Sequence, residues 1–179
     1  SGNDTLVLNQ TAGGVAWSID SVNFTQVASP DSIVIQGFGG DDSITLNFDF
    51  TPFGALVADI SVLGGDGNDS VLLTGSLALG GESLSAEAES IDSQAAISGA
   101  GSVSLTAVSE DDAQLVVSQS ITASGAVVLS AQAGKDVALG SFAPYAGTSS
   151  ATVAVAGSGT VISGASVTIT ADNAVNIVA

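Results

Sequence analysis

The chain has no cysteine, no histidine, no arginine and no methionine, and its one basic residue is Lys135. Without cysteine there is no disulfide framework, thiol nucleophile or thiolate metal site. Without histidine there is no Ser-His-Asp chemistry, and without arginine nothing holds the carboxylates of a uronide substrate. One cation against 18 acidic residues leaves a net charge of −17, which excludes the phosphate neutralisation that nucleic-acid binding needs and attraction to an anionic membrane. The partners this charge admits are cations, water and neutral surfaces, and mutual repulsion also favours solubility. Aromatic residues are sparse too, with 6 Phe, 1 Trp and 1 Tyr in 179 residues. A broad aromatic core is therefore not expected, and the Ala, Val, Leu and Ile that supply the apolar content suit a thin, repetitive interior. The apolar runs are short and broken by Ser, Thr or Gly, so no stretch reads as a signal peptide or a membrane span.

What is present is glycine, 22 residues of it, and a repeat. Residues 33–46 (IVIQGFGGDDSITL) and 60–73 (ISVLGGDGNDSVLL) align without a gap at an offset of 27. Ile33/Ile60, Gly37/Gly64, Gly40/Gly67, Asp42/Asp69, Ser43/Ser70 and Leu46/Leu73 are identical. Asn3, Asp4 and Thr5 match the tail of the unit, but Asp4 precedes Asp42 by 38 residues, so an insertion such as a hairpin around Gly13 and Gly14 is expected between them. From about residue 76 a second unit takes over: glycine, then alternating apolar and hydroxyl residues, ending in Ala88, Ala107, Ala131 and Ala171. The last interval, 40 residues, reads as two coils with a degenerate member around Thr152 to Val155. Glycine, Ser, Thr and Val at period two argue for strands and against helix.

These patterns predict an all-β chain, specifically a right-handed parallel β-helix (β-solenoid) of about seven or eight coils with three strands each, continuous across residues 1–75 and 76–179. The alternative is a β-sandwich, which shares the alternation but does not predict a gapless self-match. Residues 47–55, with Phe48, Phe50 and Phe53 beside Pro52 and Gly54, read as a loop covering a corner. The pattern is cut at both ends, so the strands at residues 1–8 and 174–179 read as unpaired edges that stack end to end on a further copy or continue in a longer chain.

Gly64-Gly65-Asp66-Gly67-Asn68-Asp69-Ser70-Val71-Leu72 fits the nonapeptide GGxGxDxUx and resembles the calcium-binding repeat of RTX proteins. Gly37 to Thr45 fits except that Phe38 replaces the second glycine. The later residues are similar to the haemagglutinin-like shafts of filamentous adhesins. The resemblance implies Ca²⁺ at a column of turns, with Asp42, Asp69, Asp41, Asp66 and Asp4 as ligands. It departs from the RTX pattern in having one such turn per 27 residues, so sites on both sides of a roll cannot form. Strands stack about 4.8 Å apart, and two aligned carboxylates would repel by roughly 1 kcal/mol in water and about 3.5 kcal/mol at an effective dielectric near 20. A bridging Ca²⁺ reverses that sign. Without it, the glycines are positive-φ corners and the aspartates point into water.

The function expected is structural: an extracellular or cell-surface fibrous segment, an adhesin shaft or filament subunit, and not an enzyme. A carbohydrate or cell-surface binding module is the alternative, with Trp17, Phe48, Phe50, Phe53 and Tyr145 as stacking residues for a neutral glycan. A polysaccharide-active β-helix enzyme ranks third, since the acidic residues cannot be paired from sequence. Glu110 to Asp112 reads as a solvated turn, and Lys135 with Asp136 as an exposed local pair.

Overall fold

The computed structural model describes residues 2–11, 14–27, 30–49, 58–138 and 149–178. Every regular element in them is a strand. The chain opens with β1 (Thr5–Thr11), β2 (Gly14–Ile19), β3 (Val22–Val27), β4 (Ser32–Gly39), β5 (Ser43–Asp49) and β6 (Asp59–Asp66). It continues through β7 (Ser70–Ala78), β8 (Leu84–Ala88), β9 (Ser90–Ser93), β10 (Ala96–Ala100), β11 (Val103–Ser109) and β12 (Asp112–Val117). The last are β13 (Ile121–Ala123), β14 (Ala126–Ala138), β15 (Ser150–Val155), β16 (Ile162–Ser163) and β17 (Ser166–Val178).

The strands fall into two sheets that the chain visits in turn. One runs β15-β12-β9-β7-β5-β1-β2-β3, with β10, β13 and β16 pairing beside it; the other runs β17-β14-β11-β8-β6-β4. From β4 onward every pairing is parallel, so each visit to a sheet adds one strand beside the last. Register follows side-chain identity. Ile33 pairs with Ile60 and Ser43 with Ser70, both at the 27-residue offset, and Ala88, Ala107, Ala131 and Ala171 lie in one row.

Period-two alternation decides which side chains meet. Ile60, Leu84, Val103 and Val127 pair in sequence and are all buried, as are Ile44, Val71, Ile91 and Leu115. Burying one such side chain is worth about 1.5–3 kcal/mol, so a one-residue slip, which would turn a whole row outward, is strongly opposed. Ser93 interrupts a row between Leu73 and Val117, fully buried, its hydroxyl without a partner.

Three expectations are corrected. Ala131 pairs directly with Ala171, so the 40-residue interval is one enlarged level, and the strand at residues 150–155 belongs to the other sheet. The sheet β17 to β4 thus has six strands among the described residues, not seven or eight. Phe48 lies inside β5, buried at 1% exposure, rather than in a loop; Phe50 and Phe53 lie outside the described residues. Finally, β1 is not an unpaired edge. It pairs parallel with β5 on one side and antiparallel with β2 on the other, and β2 pairs antiparallel with β3. This meander is the inserted hairpin expected after Asp4. Its second turn, Asp20 and Ser21 at φ 49° and 67°, has the left-handed pair that matches strand twist. At the other end β17 pairs only with β14 among the described residues.

Candidate functional site: an inward column of carboxylates

Where the chain passes from the β4 sheet to the β5 sheet, the acidic turns stack. Thr5, Ser43, Ser70 and Ser90 lie side by side in register, which places Asp4, Asp42, Asp69 and Glu89 in one column directly before them. Asp42 stands two residues before Ile44 and Asp69 two before Val71, so strand parity turns both carboxylates toward the interior. They are 2% and 1% exposed. The expectation that such aspartates point into water does not hold for these two.

The column is bonded from level to level. Asp42 Oδ1 accepts the Asp4 N–H at 2.7 Å, Asp69 Oδ1 accepts the Asp42 N–H at 2.8 Å, and Glu89 Oε2 accepts the Asp69 N–H at 2.7 Å. Each N–H is thereby satisfied by a carboxylate one level on, a charge-assisted bond stronger than a neutral one. A second column runs on the outside in the opposite sense: Asn3 Oδ1 accepts the Asp41 N–H at 2.9 Å and Asp41 Oδ1 accepts the Asn68 N–H at 3.0 Å. The turns at Asp4, Asp42 and Asp69 are tied to one another by both columns, and the Glu89 turn joins them through the inner one.

The second carboxylate oxygens explain the glycines. Asp42 Oδ2 and Asp69 Oδ2 are buried with no hydrogen-bond partner. Asp69 Oδ2 lies 2.6 Å from where a Cβ on Gly64 would be, and Asp42 Oδ2 stands in the same way over Gly37. Only a residue without a Cβ leaves room for the carboxylate, so the first glycine of the motif and its aspartate are one packing unit. Gly67, at φ 147°, approaches the neighbouring level so closely that its Cβ would overlap the Gly40 carbonyl oxygen.

Burial is the largest influence on Asp69 and raises its pKa above the ordinary carboxylate value; Asp42, Asp41 and Asp66 push the same way, while the Asp42 N–H opposes. Glu89 is likewise raised by burial, with Asp69 and Glu87 adding to it and the N–H bonds of Asp69 and of Glu89 itself opposing. Lys135, the only basic residue of the chain, belongs to β14, three strands from β6.

Of the five acidic residues marked in the sequence, the structure brings Asp4, Asp42 and Asp69 into the inner column, puts Asp41 in the outer one, and leaves Asp66 exposed, its carbonyl accepting the Gly40 N–H at 3.0 Å. Glu89 is the member that sequence reading missed. Its signal was present, because Glu89-Ser90-Ile91 repeats the acid, Ser, β-branched order of Asp42-Ser43-Ile44. The donor set is hard oxygen, the class of ligand that Ca²⁺ takes, and two of these oxygens, Asp42 Oδ2 and Asp69 Oδ2, are buried without a hydrogen-bond partner. Among the described residues, however, no group of three or more acidic side chains is gathered to hold a metal ion. The aromatic set is dispersed: Phe48 is buried, Trp17 packs partly buried against the core, and the Tyr145 position lies outside the described residues. Glu110 and Asp111 form an exposed turn between β11 and β12, and Asp112, the first residue of β12, is exposed as well.

No family model matches this chain, and neither does any curated protein or solved structure.

Proposed function

We propose that the chain is a stretch of parallel β-helix whose function is mechanical: a stiff, degradation-resistant segment of an extracellular or cell-surface fibre, without catalysis. The observation that carries this reading is the unbroken parallel register, in which like residues stack on like from β4 to β17 and turn residues bond from level to level. A structure held by such nearest-neighbour ladders gains length without needing a larger core. The thin apolar interior and the absence of histidine, arginine and cysteine fit a shaft better than an enzyme. Cryo-electron microscopy of the protein tests it: a rod with a rise of about 4.8 Å per level is expected, and two antiparallel sheets packed face to face would overturn it.

A second reading adds Ca²⁺ to the same shaft, because Asp42 Oδ2 and Asp69 Oδ2 are buried without a partner. In it, Asp42 and Asp69 hold the ion, which supplies the positive charge the chain lacks; the remaining oxygens come from backbone carbonyls and water. Millimolar Ca²⁺ is then expected to raise the melting temperature more than Mg²⁺, which demands a tighter octahedron, and the gain should grow with concentration by mass action. A melting curve indifferent to Ca²⁺ and to chelator removes the ion and leaves the shaft.

A further inference from the structure

Phe38 occupies the second glycine position of its turn. Its φ is 73°, a left-handed conformation that an aromatic residue rarely takes, whereas the residue paired with it on β6 is Gly65, at φ 115°. The ring gains little from packing in return, being 73% exposed. Val34 and Leu63, on the same outward faces of β4 and β6, are also exposed, so the three make a largely apolar strip around the exposed Gln36, which pairs with Leu63. The rim is acidic. Asp66 is exposed beside Gly39, Asp41 is exposed on the following turn, and Glu87 is exposed beside Leu63.

We infer that this strip is a docking site for a cationic segment of a partner protein, with a lysine or arginine side chain laid on the Phe38 ring and its charge held by Asp41 and Asp66. The face of an aromatic ring attracts a cation, and the aliphatic stem of lysine or arginine covers apolar neighbours such as Val34 and Leu63. The charge of the whole chain, −17, steers such a segment toward it, and Phe38 supplies the local selectivity that diffuse charge lacks. A fibre made this way carries an adhesive spot on its wall.

The test uses hexalysine as the probe and the intact chain, followed by amide chemical shifts and by melting temperature. Shifts centred on residues 36–41 and 63–67 are expected. Both Phe38→Gly and Phe38→Leu should weaken hexalysine binding by about two- to fivefold, the size of an exposed cation–π contact. The melting temperature of Phe38→Gly should not fall, because glycine accepts the backbone conformation, while Asp112→Asn should leave binding unchanged. Phe38→Leu keeps an apolar side chain and the same backbone demand, so it separates loss of the ring from any change in folding. Shifts spread evenly over all acidic turns, with both Phe38 variants binding as the parent does, would show bulk electrostatics alone and overturn the proposal. So would salt-independent binding of cellohexaose at the strip in place of hexalysine, which would make it a neutral sugar surface.

Discussion

Replacing Gly67 with alanine is expected to destabilise the protein by about 3 kcal/mol or more, lowering the melting temperature by roughly 6–12 °C for a domain of this size. Two costs add. At φ 147° a residue with a Cβ is strained whatever the space around it. The new Cβ would also overlap the backbone carbonyl of Gly40 on the neighbouring level, and a carbonyl in a hydrogen-bonded ladder has no other place to go. Relief requires the two turns to separate, which stretches the 2.8 Å bond from the Asp42 N–H to Asp69 and the 3.0 Å bond from the Asn68 N–H to Asp41. The first of these is buried, so losing it strands a donor at a cost of about 1–3 kcal/mol. Gly2→Ala is the control, since nothing lies within 4 Å of its missing Cβ, and its effect should stay within about 0.5 kcal/mol. Thermal melts of the two variants decide the matter. Equal melting temperatures would mean that the turns at residues 40 and 67 are not in contact.

The stacking of those turns was legible in the sequence because identical residues at a fixed offset meet in register: the 27-residue self-match became the pairing of β4 with β6 and of β5 with β7. The same logic failed at the 40-residue interval. A level enlarged by an insertion and two ordinary levels have the same length, and the alternating run at residues 150–155 looks alike in either sheet. Strand parity already placed Asp42 and Asp69 on the face of Ile44 and Val71. A buried carboxylate is normally too costly to expect, though, and what makes room for it is the absence of a Cβ on Gly37 and Gly64, a contact between a glycine and an aspartate five residues later. Glu89 escaped notice because its level follows by 20 residues instead of 27 and Leu84, not glycine, stands five residues before it. Phe38 was visible as a mismatch to the nonapeptide, but its left-handed backbone and its exposure are properties of the fold alone.

Acidification from neutral pH is expected to stabilise this protein, the reverse of what ordinary salt-bridged carboxylates produce. The groups responsible are Asp69 and Glu89, whose pKa values in the folded state are raised, chiefly by burial, above the 3.8 and 4.5 of the unfolded chain. Between the unfolded and folded values the native state binds more protons than the unfolded one, so stability falls as pH rises through that window. The contribution is complete below the unfolded values and lost above the raised ones. Relaxed repulsion among the 18 acidic side chains works in the same direction, but it is screened by salt, whereas a buried pair is screened far less. Melting temperatures measured from pH 7 down toward 4.5 in about 0.5 M NaCl therefore isolate the column. Asp69→Asn and Glu89→Gln each keep an oxygen to accept the N–H from the neighbouring level and remove the charge, so the double variant should flatten the pH dependence. Asp69→Ala behaves differently, because it orphans the buried Asp42 N–H and is expected to cost about 1–3 kcal/mol. Removing a stacked like charge offsets part of that cost, so at pH 7 the alanine variant should melt below the asparagine one. A melting temperature that drops on acidification, or a double variant with the parental slope in high salt, would show that the inner carboxylates do not control stability.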